Sequence, residues 1–180
     1  MLFRFLKPTE IECRVGSQGS GWVSILLYKN ARVDMQILDE SCGPLNWQRD
    51  HKEINGTIYC GIGIYNDALD LWIWKWDAGS ESNAEAEKGA ASDSFKRAGF
   101  NWGIGRELYT APTIFVRTED SDMKNGKFAT RLRVHDIAYD DKGNIVYLVI
   151  MDQKNKVRYS AGEEPKAGDV DEFQSFIKKS

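Results

Sequence analysis

The stretch WQRDHKEINGTIYCGIGIYNDALDLWIWKW, Trp47–Trp76, decides the fold. Within it, Asn55-Gly56 is the dipeptide that two-residue hairpin turns favour, because both turn positions need a positive φ. Trp47–Ile54 reads as one strand and Ile58–Tyr65 as its partner. Strand side chains alternate between faces, so Ile58, Cys60, Ile62 and Ile64 share one face. Gly61 and Gly63 fall on the other, where they admit a close neighbour or let the strand curve. Asn66–Asp70 makes a second turn. Leu71–Trp76 is a third strand, with Trp72, Trp74 and Trp76 on one face. The stretch therefore predicts an antiparallel meander with apolar groups on both faces, more surface than one helix covers.

On the C-terminal side, Ser80–Asn83 starts a helix that runs to about Trp102. Ala91, Phe95, Ala98 and Trp102 recur at helical spacing and make one apolar stripe. Gly89, Ala90, Ala91, Ser92 and Gly99 are small enough to pack closely on the glycine-bearing sheet. Glu81, Glu85 and Glu87 come early and Lys96 and Arg97 late, as the helix dipole favours. Gly103-Ile104-Gly105 ends the helix, and Arg106–Tyr109 adds one more turn. On the N-terminal side, Pro8–Val15 reads as a short helix and Ser17–Gly21 as a flexible loop. Trp22–Tyr28 is a strand. Asn30 caps a helix carrying Val33 and Ile37, which Gly43-Pro44 ends.

Beyond the long helix, Pro112–Val116 is a strand and Glu119–Lys127 a polar loop. Arg131–Tyr139 and Ile145–Asp152 form a hairpin closed by Asp140–Asn144. The expected class is α+β: a three-stranded antiparallel β-meander crossed by a long helix, a β-β-β-α core, with an additional C-terminal β-hairpin. One domain spans 1–160. Residues 161–180 read as a polar mobile tail ending in a small amphipathic piece, Phe173–Ile177.

The 180 residues suit one domain with a sizeable core. With 42% apolar and 28% charged residues, a wholly disordered chain is excluded. No apolar run reaches the roughly 20 residues of a membrane span, and Met1–Lys7 lacks a secretory cleavage site. The expected location is the cytoplasm. Cys13, Cys42 and Cys60 are odd in number and lack metal-ligand spacing, so free, buried thiols are expected in place of disulfides or zinc. His51 and His135 are the two histidines, each flanked by charges as solvated side chains are. No P-loop, nucleophile elbow or complete dinucleotide fingerprint occurs. The sequence implies no catalytic residue, metal or cofactor.

A net charge of −3 and a pI near 5.5 do not advertise a nucleic-acid partner. DNA responds to local cations, however, so clustering decides. The stretch that matters is EAEKGAASDSFKRAGFNWGIGRELY, Glu85–Tyr109. Lys96 and Arg97 both point about 120–140° away from the apolar stripe. Lys88 lies two turns earlier, and Arg106 follows the glycine break. Read alone, this is first a solvated, dipole-matched helix end.

The same stretch resembles the single-strand annealing proteins of the Rad52 type, including phage proteins of the Sak kind. The matching residues are Ala90–Ala98 (AASDSFKRA) and Trp102–Tyr109 (WGIGRELY). Upstream, Tyr28–Val33 (YKNARV) and Cys42–Trp47 (CGPLNW) follow the same order and similar spacing. The resemblance covers roughly 8–110, leaving 111–160 as an extension. It implies the β-β-β-α core, and homo-oligomeric rings or filaments with a basic groove tracking the DNA backbone. It places Arg32, Lys96 and Arg97 at positions that hold phosphates, with Lys88 as a further basic position. Where eukaryotic members carry a further Arg this chain has Phe100, and Arg106 is the candidate substitute.

The resemblance implies ATP-independent annealing of complementary strands in homologous recombination and DNA repair, without bond chemistry. Its partners would be single-stranded DNA, further copies of the chain and a single-strand-binding protein, in the cytoplasm of a bacterial host if a bacteriophage encodes it. Two other readings stand beside it. One is passive binding and protection of single strands or DNA ends. The other, ranked lower, is a metal-dependent nuclease using the chain's acidic residues.

Overall fold

The computed structural model describes residues 3–79 and 86–163, with the side chains of the second stretch from 89 onward. In chain order there is a 3-10 turn at Pro8–Glu10, then β1 (Glu12–Gly19), β2 (Trp22–Tyr28), α1 (Ala31–Cys42), β3 (Trp47–Ile54), β4 (Thr57–Asn66), β5 (Leu71–Ala78) and α2 (Ala86–Trp102). A 3-10 turn at Arg106–Thr110 precedes β6 (Ile114–Arg117). A further turn, Asp120–Asp122, leads into β7 (Met123–Lys124), β8 (Lys127–Phe128), β9 (Leu132–Tyr139), β10 (Ile145–Asp152) and β11 (Val157–Ala161). The chain divides into two compact units. Among the described residues, the first joins 3–4 to 30–79 and 86–105; the second joins 5–29 to 106–163.

In the first unit β3, β4 and β5 form the expected antiparallel meander. Asn55 and Gly56 both take positive φ, 51° and 78°, which turns β3 into β4 in two residues. Cys60, Ile62 and Ile64 are buried on one face, and α2 packs against β4 and β5. The glycines lie on the opposite face, under tryptophans. A Cβ at Gly61 would stand 2.5 Å from Trp76 Cε2, and one at Gly63 2.8 Å from Trp74 Cε2. Both indoles thus lie against bare backbone, stacked on each other at 5.7 Å and 24°. Asn30 Oδ1 caps α1 by accepting from Arg32 N (2.9 Å) and Val33 N (3.3 Å). That fixes the turn from which Val33, Ile37 and Leu38 enter the core.

The second unit is built on a six-stranded antiparallel sheet, ordered β11-β10-β9-β1-β2-β6. Val23, Ile25, Ile114, Val116, Val134, Leu148 and Ile150 are buried in it. β1 and β9 meet at a single register pair, Glu12↔Arg133. The two edge strands are tied by a side chain. Arg158 of β11 donates to Asp122 Oδ1 (2.9 Å) and Oδ2 (2.6 Å), and to the Arg117 carbonyl of β6 (2.8 Å). Thr130 Oγ1 and Glu119 N also donate to Asp122. The bonds from Arg158 hold the Asp122 carboxyl well below the usual carboxylate range, against the upward push of burial.

The α+β class, the meander and the crossing helix are as expected; the six-stranded sheet corrects the rest. The expected helix at Pro8–Val15 is a 3-10 turn followed by strand, and the expected loop at Ser17–Gly21 is mostly strand. Alternation in ECRV is too short to separate the two periods, and β1 is fixed by distant partners. The polar loop at Glu119–Lys127 contains a 3-10 turn and the β7–β8 ribbon. The C-terminal hairpin is part of the large sheet, with β11 added at its edge. The first half of the expected 80–102 helix, and residues 164–180 of the expected tail with Phe173–Ile177, fall wholly or partly outside the described residues. All three cysteines are free; Cys60 is buried, while Cys13 and Cys42 are half-buried. Burial pushes the Cys13 thiol up to about 12 and the Cys60 thiol up to about 11. Among the described residues no helix is long and apolar enough to cross a membrane.

Two outcomes follow from this packing. Gly61→Ala forces the Trp76 ring off its seat and lowers the unfolding free energy in urea by about 1–3 kcal/mol. Arg158→Met leaves a buried carboxylate without its cation and costs about 3–5 kcal/mol. Because the folded Asp122 carboxyl titrates below its ordinary 3.8, its contribution is complete above that pH and lost as pH falls below it. Melting followed from pH 6 to pH 2 should show this acid loss in the wild type and a smaller one in Arg158→Met.

Candidate nucleic-acid interface

The interface is built on the first unit. The inward arc of α2 comprises Ala90, Ser94, Phe95 and Ala98, all buried, with Ala91 and Trp102 half-buried beside it. This is the expected stripe, widened by Ala90 and Ser94. Three contacts pin the C-terminal end of the helix to the sheet. Trp102 Nε1 donates to the Ile62 carbonyl at 2.9 Å. Asn101 Nδ2 donates to the Trp76 carbonyl at 2.9 Å. Lys75 Nζ donates to the Asn101 carbonyl at 2.9 Å and lies 4.3 Å from the Trp102 ring centre. A cation at a helix C-terminus meets the negative end of the dipole and an otherwise unsatisfied carbonyl.

With that end fixed, Lys96 and Arg97 emerge on either side of the buried arc. The Arg97 side chain is 46% exposed, and its Nε stands 3.4 Å from Asp77 Oδ1. An ion pair so exposed is worth little, but it orients the guanidinium. Asp77 engages Nε, so the forked Nη groups remain for a second, bidentate acceptor. The Lys96 side chain is 19% exposed and 4.0 Å from Asp93 Oδ1, one turn earlier. It is more covered than the helical projection implies.

Arg32 stands exposed in the first turn of α1, and its guanidinium meets no carboxylate among the described residues. α1 packs against both α2 and β3. Trp47 fixes part of that arrangement: its Nε1 donates to Asp39 of α1 at 2.7 Å, and its ring lies 6.3 Å from that of Phe95. Trp47 is thus a packing residue. The structure brings Lys96 and Arg97 together on one helix and sets Arg32 on the neighbouring helix of the same unit. Lys88 belongs to α2, but its side chain lies outside the described residues. Arg106 is exposed at the start of the 3-10 turn after the glycine break, and it belongs to the second unit.

Two cations that pattern reading passed over, Arg49 and Lys75, belong to this face of the meander. Arg49 of β3 sits over the Phe95 ring at 5.3 Å, and His51 Nε2 lies 3.3 Å from the Ala91 carbonyl. Strand alternation from Trp47 places both on the α2 side, and it places Lys75 there too, between two tryptophans that face the other way. The signal was present in the period of two. It was hidden because β3 is polar at every position from Gln48 to Glu53.

The chain matches the family model described as Rad52/22 family double-strand break repair protein over residues 1–127. No curated protein and no solved structure matches it.

The pinned helix end has its own test. Lys75→Met removes a charged hydrogen bond to the Asn101 carbonyl and should lower stability by about 1.5–3 kcal/mol in urea denaturation. Exposed Glu53→Ala is the control and should stay within about 0.5 kcal/mol of the parent.

Proposed function

The chain belongs to the Rad52/22 family of double-strand break repair proteins, and from that premise we propose that it binds single-stranded DNA and anneals complementary strands without nucleotide hydrolysis. As a family member it is a DNA recombination and repair protein. The observation that carries the finer reading is the consecutive pair Lys96-Arg97 on a helix whose opposite side is locked to the sheet. A rigid mount matters because phosphate contacts set the path of a strand without reading its sequence. Arg32 of α1 and Arg49 of β3 extend the cationic surface within the same unit.

Annealing in this scheme needs no bond chemistry. A strand held by its phosphates leaves its bases exposed. A complementary strand then pairs with them, driven by about 1.4 kcal/mol per stacked step. The cations lower the repulsion between the two backbones and release counterions on binding. A ring or filament of copies would continue the groove from one chain to the next. The half-buried Trp72, Trp74 and Trp76 on the face of the meander away from α2 support such an assembly, since this apolar surface favours cover. The proposal carries with it a homo-oligomer, a single-strand-binding protein as a further partner and a cytoplasmic setting.

Lys96→Ala with Arg97→Ala should weaken binding to an oligo-thymidylate at least tenfold while leaving the circular dichroism spectrum and native mass unchanged. The slope of log affinity against log salt should fall by roughly 0.7 for each phosphate that the variant no longer neutralises. Unchanged affinity and slope would sink the assignment. Mixing complementary fluorescent oligonucleotides with the protein then separates annealing, seen as faster duplex formation, from passive protection, which leaves that rate unchanged or slower.

A further inference from the structure

We propose that the outer face of the six-stranded sheet, in the second unit, is a separate contact surface for single-stranded nucleic acid, using aromatic stacking and arginines. Strand register defines the face. Glu12 pairs with Tyr28 and with Arg133, Arg14 with Leu26, Ser24 with Phe115, and Trp22 with Arg117. Directly paired residues share a face, and the intervening residues Val23, Ile25, Ile114 and Val116 supply the core on the other side.

What the face presents is unusual for a solvated sheet. Trp22, Tyr28 and Phe115 are 37%, 38% and 53% exposed. Trp22 and Phe115 meet edge to face at 5.2 Å, and Tyr28 lies at the far end of β2, roughly 20 Å away. Between and beside them stand arginines. Arg14 is seated over the Tyr28 ring at 5.0 Å and bonded to Glu12. Arg133 lies against Asn155 Oδ1 at 2.6 Å and His135 Nδ1 at 3.2 Å. Arg117 is exposed; its carbonyl is used by Arg158, while its guanidinium meets no carboxylate among the described residues.

Charge selects the occupant. With exposed Arg131 just before β9, four arginines face Glu12 and Asp136, and Glu12 is already engaged by Arg14. The whole chain, by contrast, carries −3. A partner protein or second copy with that average charge would be attracted, but neither needs aromatic rings spaced along a strand. Single-stranded nucleic acid uses both features: its phosphates take the arginines and its unpaired bases stack on the rings. Duplex ends would not reach them, because paired bases are already stacked. The face belongs to the second unit and shares no residue with α2, so it does not depend on the α2 reading.

The test uses the full chain with a fluorescent oligo-thymidylate. Ultraviolet cross-linking followed by peptide mapping should place thymine adducts on Trp22, Tyr28 or Phe115. Phe115→Ala with Arg117→Ala should weaken binding about tenfold or more, as removal of a stacking ring and a phosphate ligand implies. Arg131→Ala with Arg133→Ala alters only exposed side chains and decides the matter if the first variant misfolds; it should also weaken binding. The adducts should persist in Lys96→Ala/Arg97→Ala, which separates this surface from the one on α2. Adducts confined to other peptides, with affinity unchanged in the arginine variant, would overturn the proposal. So would a change of native mass in the variants without a change in affinity, which would make the face a contact between copies.

Discussion

The seating of α2 on the β3–β4–β5 meander is the constraint on which the proposed DNA interface depends. A helix offers phosphates a fixed row of cations only if its other side cannot roll. Here Phe95 and Ala98 are buried, the Trp102 indole bonds the Ile62 carbonyl, and Lys75 closes the last turn. These contacts join the last two turns of the helix to two strands. They explain why a run as short as Lys96-Arg97 can have a defined direction on a protein of negative net charge.

The glycines of β4 serve the same end from the opposite side of the sheet. By letting Trp74 and Trp76 lie flat on bare backbone, they give a three-stranded sheet a packed second face without a second helix. Arg49 and Lys75, which alternate with these apolar residues, are directed to the helix side. Cation placement in this unit is thus a by-product of strand alternation around an apolar scaffold.

The second unit solves a different problem with the same chemistry. Its sheet gathers strands from both ends of the chain, and Arg158 joins its edges through the buried Asp122 and the Arg117 carbonyl. Edge strands left open pair with other chains, so tying them by a side chain limits that liability. The consequence is a sheet with one face committed to the core and the other available, carrying Trp22, Tyr28 and Phe115 among arginines.

What the sequence determined by itself was local. Asn55-Gly56 fixed the hairpin, Asn30 the start of α1, Gly103 the end of α2, and the spacing of Phe95, Ala98 and Trp102 the buried side of that helix. These are decisions made within a few residues, by backbone geometry and by side-chain period, and they were legible. The resemblance of the Lys96-Arg97 motif to the annealing family was legible for the same reason. Tertiary structure decided what depends on partners far along the chain. It made ECRV a strand because β2 and β9 pair with it, and it assigned Arg106 to a different unit from Lys96. It also revealed the rings that Arg49 and Lys75 meet, Phe95 and Trp102, which lie on α2, far along the chain from either strand. A contact between distant residues is set by the free energy of the whole packed arrangement, and no window of sequence contains that quantity.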